Sequence, residues 1–230
     1  IWGTLEEDTY RRDFTINALY YCPITRKIED HNKGLKHIHN KEIVSIGDPD
    51  LRFEEDPVRS LRAIRFCTKL DFKINNNIKE AIYKKGHLLS SVSNARLFDE
   101  FCKIFLNGMA EKNFNKLVSF GLNKYLVSTN LNGCEFSNQL IIEALRNTDN
   151  RIKNNQSVTP GFLIAALLWP QLIKKSLKGN EINLKKFFRS MDSILRNQQK
   201  ITAIPRKFHT YIKDIWVLHL KLHSRIGRQP

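Results

Sequence analysis

The chain has 230 residues, 41% of them hydrophobic, which is enough to build one large core or two small ones. Its longest apolar run, Phe162 to Trp169, is far shorter than the roughly 20 residues that a membrane helix needs. No basic and then apolar leader stands at the start, so we expect neither export nor a membrane anchor. The four cysteines are scattered without a CxxC pair, which indicates reduced thiols and a cytoplasmic location.

Short elements of mixed type are expected in the first 50 residues, where helical and alternating patterns follow each other closely. Glycines and an Asp-Pro pair interrupt these patterns and indicate turns. In chain order we expect a helix over residues 14–21 capped by Asp13 or Thr15, strands within 24–30 and 43–46, a turn at Gly34 and another over 47–50.

Helical periodicity dominates after residue 56. Asp56 is expected to cap a helix that has Pro57 at its first position. The buried face of that helix is predicted to carry Val58, Leu61, Ile64 and Leu70. Further helices are predicted over 95–106 with Leu97, Phe98, Phe101 and Phe105 inward, 138–147, 159–177 with a kink at Pro170, and 206–225 with Phe208, Tyr211, Ile212, Ile215, Leu218 and Leu222 at helical spacing. These elements define an α+β fold class, with a mixed first part and an all-helical second part.

Net charge, +15 for the whole chain, changes sign where the helical pattern begins. Residues 1–56 carry 8 Lys and Arg against 12 Asp and Glu, a net charge of −4. Residues 57–230 carry 30 against 11, a net charge of +19. A codon bias toward lysine would raise the charge of both parts, so it does not account for this difference. The basic part is therefore expected to bind a polyanion such as a nucleic acid.

The segment Arg11-Arg12-Asp13-Phe14-Thr15-Ile16-Asn17 combines two guanidinium groups with a carboxylate. Guanidinium groups bind phosphate oxygens bidentately, and a helix N-terminus adds partial positive charge. Asp13 could accept hydrogen bonds from ribose hydroxyls or help to hold a metal ion, and Asn17, one turn later, would face the same ligand. The alternative, which spacing alone favours, is that Asp13 caps a helix while Arg11 and Arg12 make surface salt bridges.

Glu55-Asp56-Pro57-Val58-Arg59 is the second segment with the chemistry of a binding site. Asp56 and Arg59 are three residues apart at a helix start, so they share a face and offer acceptors and donors to the Watson–Crick edge of a base. Glu55 can pair with Arg59 and fix its direction. The helix continues with a basic stripe that suits a phosphate backbone or a triphosphate: Arg62, Arg65 and Lys69. The alternative is a capped amphipathic helix with a solvated basic face.

The order and spacing of these segments resemble the class II tRNA nucleotidyltransferase/poly(A) polymerase family. The matching segments are residues 3–8, 11–21, 46–49 and 52–66. The resemblance implies three parts: residues 1–51 as the C-terminal part of a nucleotidyltransferase head, 52–110 as a helical neck and 111–230 as a helical body, with neck and body binding RNA.

The resemblance also implies a role for each residue of the site. Residues 11–17 match the ribose-reading motif, in which Asp13 lies beside the active centre as a catalytic residue. Glu55, Asp56 and Arg59 match the amino-acid template that reads the incoming base. The full nucleotide-binding set is Arg11, Arg12, Asn17, Glu55, Asp56, Arg59, Arg62 and Arg65. Residues 47–53 match the hinge between head and neck, and residues 94–98 match a structural motif of the neck.

Two activities exist within this family. CCA-adding enzymes extend tRNA with CTP and ATP, whereas bacterial poly(A) polymerases extend RNA 3′ ends with ATP alone. The later segments resemble the polymerases at residues 145–152, 160–170, 203–207 and 214–216. We therefore expect adenylation of RNA 3′ ends from ATP, in mRNA processing and decay. CCA addition is the alternative within the family, a non-catalytic RNA-binding fragment is the alternative outside it, and the sequence identifies no protein partner.

The metal-binding carboxylates of the family have no match in this chain. Family members carry a Gly-rich loop and an Asp-x-Asp pair upstream of the ribose-reading motif, and Mg²⁺ held there would activate the 3′-hydroxyl and stabilise the leaving pyrophosphate. Asp48-Pro49-Asp50 is the only Asp-x-Asp here, and its turn context matches the hinge, so we assign no metal ligand. We expect the chain to be an incomplete piece, without the basic tail of family polymerases and without tailing activity on its own.

Overall fold

The computed structural model describes residues 4–128, 135–179 and 181–226, except for the side chains of 135–138 and 223–226. These residues form two compact units, divided between Val92 and Ser93. The boundary lies within the predicted neck, and the division at residues 51 and 110 stays a prediction.

The first unit combines short helices with small sheets. Its elements are α1 (Leu5–Arg11), a 3₁₀ turn (Thr15–Asn17), β1 (Tyr20–Cys22), β2 (Lys27–Glu29), α2 (Gly34–His39), β3 (Glu42–Ile43), α3 (Pro49–Glu55), α4 (Val58–Leu70), β4 (Lys73–Ile74), α5 (Asn76–Lys85) and a 3₁₀ segment (Gly86–Ser91). β1 and β2 pair antiparallel with Tyr21 opposite Ile28, and β3 and β4 pair in parallel with Ile43 opposite Ile74.

The core of the first unit includes one face of α4. Val58, Leu61 and Ile64 are buried there, as the periodicity predicts, whereas Leu70 is 41% exposed and does not belong to that face. Burying such side chains removes apolar surface from water, at roughly 1.5–3 kcal/mol for each large one. The core is completed by Phe14, Ile43, Phe53, Ile78 and Ile82.

The second unit consists mainly of helices. Its elements are α6 (Asn94–Phe105), α7 (Ala110–Ser119), a 3₁₀ turn (Asn123–Tyr125), α8 (Glu135–Lys153), α9 (Pro160–Ser176), β5 (Leu177–Lys178), β6 (Glu181–Ile182), α10 (Leu184–Gln199) and α11 (Arg206–Ile226). β5 and β6 form a short antiparallel hairpin. α9 packs against α8, α10 and α11 and buries most of its length. The α+β class is thus confirmed, and β4 and the β5–β6 hairpin add strands to a part that the periodicity predicts to be helical throughout.

The helix predicted over residues 14–21 is wrong. Phe14 is fully buried and forms an isolated antiparallel bridge with Ser45, while the Thr15 amide donates to the Val44 carbonyl at 3.0 Å. The chain then makes a single 3₁₀ turn and continues into β1. Pairing with a segment 30 residues away therefore overrides the local helical pattern. The strands predicted within 24–30 and 43–46 are shorter than expected, at β2 and β3.

Two predicted turns begin helices instead. Gly34 is the first residue of α2 and is buried. Gly47 does turn the chain, with φ +75, but Asp48 then caps α3 by accepting a hydrogen bond from the Asp50 amide at 3.1 Å. Pro49 at the first position of α3 fits this start, since its missing N–H would have no helical partner.

In the second half of the chain, the bounds of the helices agree with the prediction better than their buried faces do. α6 and α9 begin and end within one residue of expectation, α8 extends further than 138–147 at both ends, and α11 matches 206–225 closely. Phe98 is only half-buried, and Leu218 and Leu222 on α11 are 58% and 60% exposed, so they do not face the core. Pro170 lies inside α9, and the kink there stays a prediction.

The periodicity predicts α4, α6, α8, α9 and α11, and it misses α1, α5, α7 and α10 in addition to α2 and α3. α4 begins at Val58 rather than Pro57, and the Asp56 carboxylate accepts a hydrogen bond from the Val58 amide at 3.2 Å. The expected cap is therefore present, one residue out of register.

In the described ranges no helix is long and apolar enough to cross a membrane. Cys22, Cys67 and Cys102 are reduced, as expected, and Cys134 lies outside the described residues. Burial raises the pKa of Cys102 to about 11, which keeps this thiol protonated at neutral pH.

Candidate nucleotide site

Asp13 is held in the first unit by the same pairing that displaces the predicted helix. Its carbonyl accepts a hydrogen bond from the Ile46 amide at 3.2 Å, and the next residue, Phe14, anchors the segment in the core. The Asp13 carboxylate is buried, and each of its oxygens meets an arginine of α4. Oδ1 accepts from Arg59 Nε at 3.0 Å, and Oδ2 lies 2.5 Å from Arg62 Nη2.

Arg59 is fixed from several directions. Its Nη1 donates to Glu55 Oε2 at 3.0 Å and to the Arg52 carbonyl at 2.7 Å, while Nε binds Asp13. The ion pair expected between Glu55 and Arg59 is therefore present. Because Nη1 has two hydrogens and both are used, the N–H groups of Nη2 are the donors left for a ligand.

Arg52 joins the two segments that the sequence analysis singled out. Its Nη1 donates to Glu55 Oε2 at 2.6 Å, and its Nη2 donates to the carbonyls of Arg11 and Arg12 at 3.2 and 2.9 Å. Sequence reasoning placed Arg52 in a family motif but gave it no role. The spacing of Arg52 to Glu55 was an available signal, because residues three positions apart on one helix lie on the same face.

The site has an excess of positive charge. Arg52, Arg59 and Arg62 surround two carboxylates, those of Asp13 and Glu55. The hydrogen bond from Arg59 lowers the pKa of Glu55 below its ordinary value, against a smaller opposing effect of desolvation. A lowered pKa means that the pairing is complete at neutral pH and is lost only as pH falls through the folded-state value. At neutral pH the five groups carry a net charge of +1, which favours an anionic ligand.

Arg11 and Arg12 contribute to this network through their backbones. The Arg12 side chain lies in a separate surface cluster, where Nη2 donates to Asp8 Oδ2 at 2.9 Å and to the Tyr20 hydroxyl at 3.3 Å. The hydrogen bond from Tyr20 lowers the pKa of Asp8, and the hydrogen bond with Asp8 raises the pKa of Arg12. Arg12 therefore makes the surface salt bridge that the sequence analysis gave as the alternative to phosphate binding.

Asn17 does not lie one helical turn beyond Asp13, because residues 15–17 form a 3₁₀ turn. Its Oδ1 accepts a hydrogen bond from the Phe14 amide at 3.2 Å, so its visible role is to close that turn. Arg65 lies one turn beyond Arg62 on α4, with its guanidinium 5.2 Å from the centre of the Phe66 ring. The network thus brings together Asp13, Glu55, Arg59 and Arg62.

The residues present do not fit a magnesium ion. Across the described parts of the chain, no group of three or more His, Cys, Asp or Glu side chains could hold a metal. Both oxygens of Asp13 already bind arginines, and Glu55 binds two. Three guanidinium groups around two carboxylates repel a divalent cation, so we derive no step through Mg²⁺ at this network.

Three family models match parts of the chain. The poly A polymerase head domain matches residues 2–44, the probable RNA and SrmB-binding site of polymerase A matches 71–129, and the polymerase A arginine-rich C-terminus matches 180–230.

Curated relatives match the chain over its whole length. Poly(A) polymerase I of Salmonella typhi and that of Haemophilus influenzae are each 36% identical to it over 100% of the chain. The chain spans about half the length of these relatives, 51% and 53% respectively. The CCA-adding enzyme of Pediococcus pentosaceus is 38% identical over 122 residues, which cover 53% of the chain and 31% of that enzyme.

Solved structures share the fold. The Thermotoga maritima CCA-adding enzyme complexed with tRNA(CCA) is 22% identical and superposes with a TM-score of 0.68. The match covers 97% of the present chain and 51% of the chain of that enzyme. A tRNA-processing enzyme complex is 18% identical and superposes with a TM-score of 0.73. That match covers 99% of the present chain and 58% of the chain of that enzyme. The chain belongs to the class II tRNA nucleotidyltransferase/poly(A) polymerase family, as its motifs indicate.

Proposed function

We propose that the protein carrying this chain adds AMP residues from ATP to RNA 3′ ends. The observation that carries the proposal is the network in which Arg52 and Arg59 join residues 11–13 to Glu55. It brings the candidate ribose-reading and base-reading segments, about forty residues apart, into one positively charged site joined by hydrogen bonds.

Asp56 and Arg59 select the base in this proposal. The adenine edge offers an amino donor and a ring-nitrogen acceptor, which match a carboxylate and a guanidinium N–H. Asp13 and Glu55 hold Arg59 so that Nη2 points to the ligand, and the carboxylates thus act as positioning groups for the reader. Guanine and uracil carry a hydrogen on the ring nitrogen of this edge and would not match. Cytosine presents the same amino donor and ring-nitrogen acceptor as adenine, so the choice between ATP and CTP depends on the direction in which the two ion pairs hold Arg59.

The phosphates of ATP meet arginine side chains. Arg62 and Arg65 follow Arg59 on α4, and Arg11 precedes Asp13. Arg12, whose side chain pairs with Asp8, contributes through its carbonyl, and Asn17 shapes the turn beside Asp13. Guanidinium groups bind phosphate oxygens bidentately, and these charged hydrogen bonds become stronger as water leaves the site. The residues of this network would hold no Mg²⁺; an ion held by other residues of the complete enzyme would supply activation of the attacking 3′-hydroxyl.

Poly(A) addition is favoured over CCA addition by the extent of the similarity. The poly(A) polymerases match the whole chain, including the second unit, whereas the CCA-adding enzyme matches 122 residues. The same assignment puts the protein in the cytoplasm, where ATP and RNA 3′ ends are both present, with a role in mRNA processing and decay.

The test is nucleotide incorporation by the full-length protein that contains this chain. We expect long extension of an oligoadenylate primer with ATP and Mg²⁺, no CCA synthesis on tRNA that lacks its 3′ end, and no extension by residues 1–230 alone. Arg59→Lys should incorporate ATP poorly and lose preference for it, because an ammonium cannot keep all three contacts of Arg59.

The matched control is Lys79→Ala on α5, which removes a charge from the same unit outside the network. Efficient CCA synthesis would favour the alternative activity within the family. RNA binding without any incorporation by the full-length protein would favour a non-catalytic RNA-binding role.

A further inference from the structure

A groove in the second unit lies among α8, the loop after it, α9 and α11. Its volume is about 410 Å³, within the range of roughly 300–1,000 Å³ that is typical of ligand pockets. The side chains that line it are Asn147, Thr148, Arg151, Ser157, Val158, Thr159, Phe162 and Tyr211. None of these residues belongs to the nucleotide site of the first unit.

Two aromatic side chains border the groove and keep much of their surface in contact with water. Phe162 is 38% exposed and Tyr211 is 43% exposed. The Tyr211 ring rests on the backbone of Gly161, where a Cβ atom would lie 2.9 Å from Tyr211 Cδ1. The glycine therefore lets α9 and α11 approach and holds the ring in place, as a stacking surface requires.

A basic side chain is held at the same groove. Arg151 Nε donates to the Ser157 carbonyl at 3.1 Å, which directs the guanidinium and leaves its terminal N–H groups for other acceptors. Asn147 is exposed and can donate and accept. No carboxylate occurs among the residues that line the groove.

We propose that this groove binds single-stranded RNA, with one base stacked on Tyr211 or Phe162 and the adjoining phosphate on Arg151. The proposal rests on the proposed function and adds an RNA contact away from the nucleotide site. Stacking platforms beside basic groups are how proteins hold single strands without reading their sequence. Residues 93–230 carry 22 basic against 9 acidic residues, so a polyanion is favoured over a peptide as the occupant.

The experiment compares two labelled ten-nucleotide RNAs in binding to the full-length protein: oligoadenylate, and the same backbone without bases. Wild type should prefer the oligoadenylate, because only it can stack. Tyr211→Ala should weaken oligoadenylate binding at least fivefold, the equivalent of about 1 kcal/mol. It should leave binding of the abasic RNA unchanged, whereas Arg151→Gln should weaken binding of both.

Matched controls come from α10, where two neighbouring exposed residues carry an aromatic ring and a guanidinium group. Phe188→Ala and Arg189→Gln remove the same kinds of group at the surface and should leave the preference intact. Tyr211→Leu keeps an apolar side chain there without an aromatic face, and it covers the case in which Tyr211→Ala does not fold.

If Phe188→Ala and Tyr211→Leu weaken oligoadenylate binding equally, or if Tyr211→Leu keeps the preference for oligoadenylate over abasic RNA, the groove is not an RNA-binding site. Either result would leave the proposed activity untouched. Failure of the wild type to bind either RNA would overturn both the groove and the RNA-binding part of the proposed function. Displacement of bound oligoadenylate by a neutral peptide, but not by abasic RNA, would mark the groove as a peptide site and also overturn the proposal.

Discussion

Arg52 contacts the backbone of residues 11–12 and the carboxylate of Glu55 at the same time, with its side chain only 15% exposed. A hydrogen bond that involves a charged group is worth about 1.5–3 kcal/mol, and two of its contacts reach a different segment of the chain. Arg52 is therefore a positioning residue for Arg59 in the proposed site.

Arg52→Lys should raise the KM for ATP roughly tenfold, since lysine cannot bridge two carbonyls and a carboxylate as a planar guanidinium does. The same variant should lose preference for ATP over CTP, because Arg59 would no longer be held in direction. Initial rates at several ATP concentrations measure the KM, and competition between the two nucleotides in incorporation assays measures the preference. Arg189→Lys serves as the control, and an unchanged nucleotide preference in Arg52→Lys would contradict the positioning role.

Side-chain pairs within one helix turn could be predicted from the sequence, and contacts across the chain could not. Glu55 and Arg59 are only four residues apart, so their pairing could be predicted, although the break at Asp56 puts them on two different helices, α3 and α4. The contacts of Arg52 with two carbonyls and of Asp13 with α4 join residues forty or more positions apart, and they leave no periodic signal. For Asn17 a local prediction failed, since the orientation predicted for its side chain depended on a helix that does not form.

α2 is docked at its N-terminus against the turn that follows Asp13. The Asp30 carboxylate accepts hydrogen bonds from the Gly34 and Leu35 amides at 2.7 and 3.0 Å and so caps the helix. Thr15 Oγ1 and His37 Nδ1 lie 2.8 Å apart and link the helix to the turn. This contact supports the segment that presents Asp13.

Gly34→Ala should destabilise the first unit, because the added Cβ would lie 2.4 Å from the Thr15 carbonyl oxygen. Overpacking of this kind costs typically about 1–3 kcal/mol in the free energy of unfolding. Urea denaturation measures the change, and Lys36→Ala, an exposed substitution two residues later on the same helix, is the control. A Gly34→Ala variant as stable as Lys36→Ala would show that the turn moves freely away from α2.

Elements were predictable where local signals agreed with packing. The Asp-Pro start and apolar stripe of α4 and the apolar spacing of α6 were sufficient for both helices. α3 carries the same Asp-Pro signal, but its seven residues are too few to show periodicity, so the sequence predicts only a turn there. The helix expected over 14–21 failed because buried Phe14 pairs with residues near Ser45, a tertiary effect that no local pattern records.

Charge at the scale of the molecule supports two different kinds of contact. The nucleotide site concentrates three arginines around two carboxylates, next to residues 1–56, which are acidic overall. Its attraction for ATP is therefore local. The remainder, with a net charge of +19, attracts a polyanion over a wide surface. The proposed RNA contact should therefore depend on salt more steeply than the binding of ATP does.

RNA affinity should fall as salt rises, because each phosphate that meets a Lys or Arg releases a counterion. For single strands the logarithm of the binding constant falls by about 0.7 per phosphate contact for each unit in the logarithm of salt, so four contacts imply a slope of about −2.8. That slope corresponds to a loss of about 50-fold between roughly 50 and 200 mM salt. Fluorescence anisotropy of a labelled oligoadenylate across this range measures it.

Two charge-matched variants separate a phosphate contact from general electrostatics. Arg151→Gln should reduce the steepness of the slope by about 0.7, the value for one lost contact. Lys27→Gln, on the exposed strand β2 of the acidic part, changes the net charge equally and should leave the slope as it is. A slope near zero in the wild type would mean that the basic part does not meet phosphates. Equal slopes in both variants would mean that Arg151 does not.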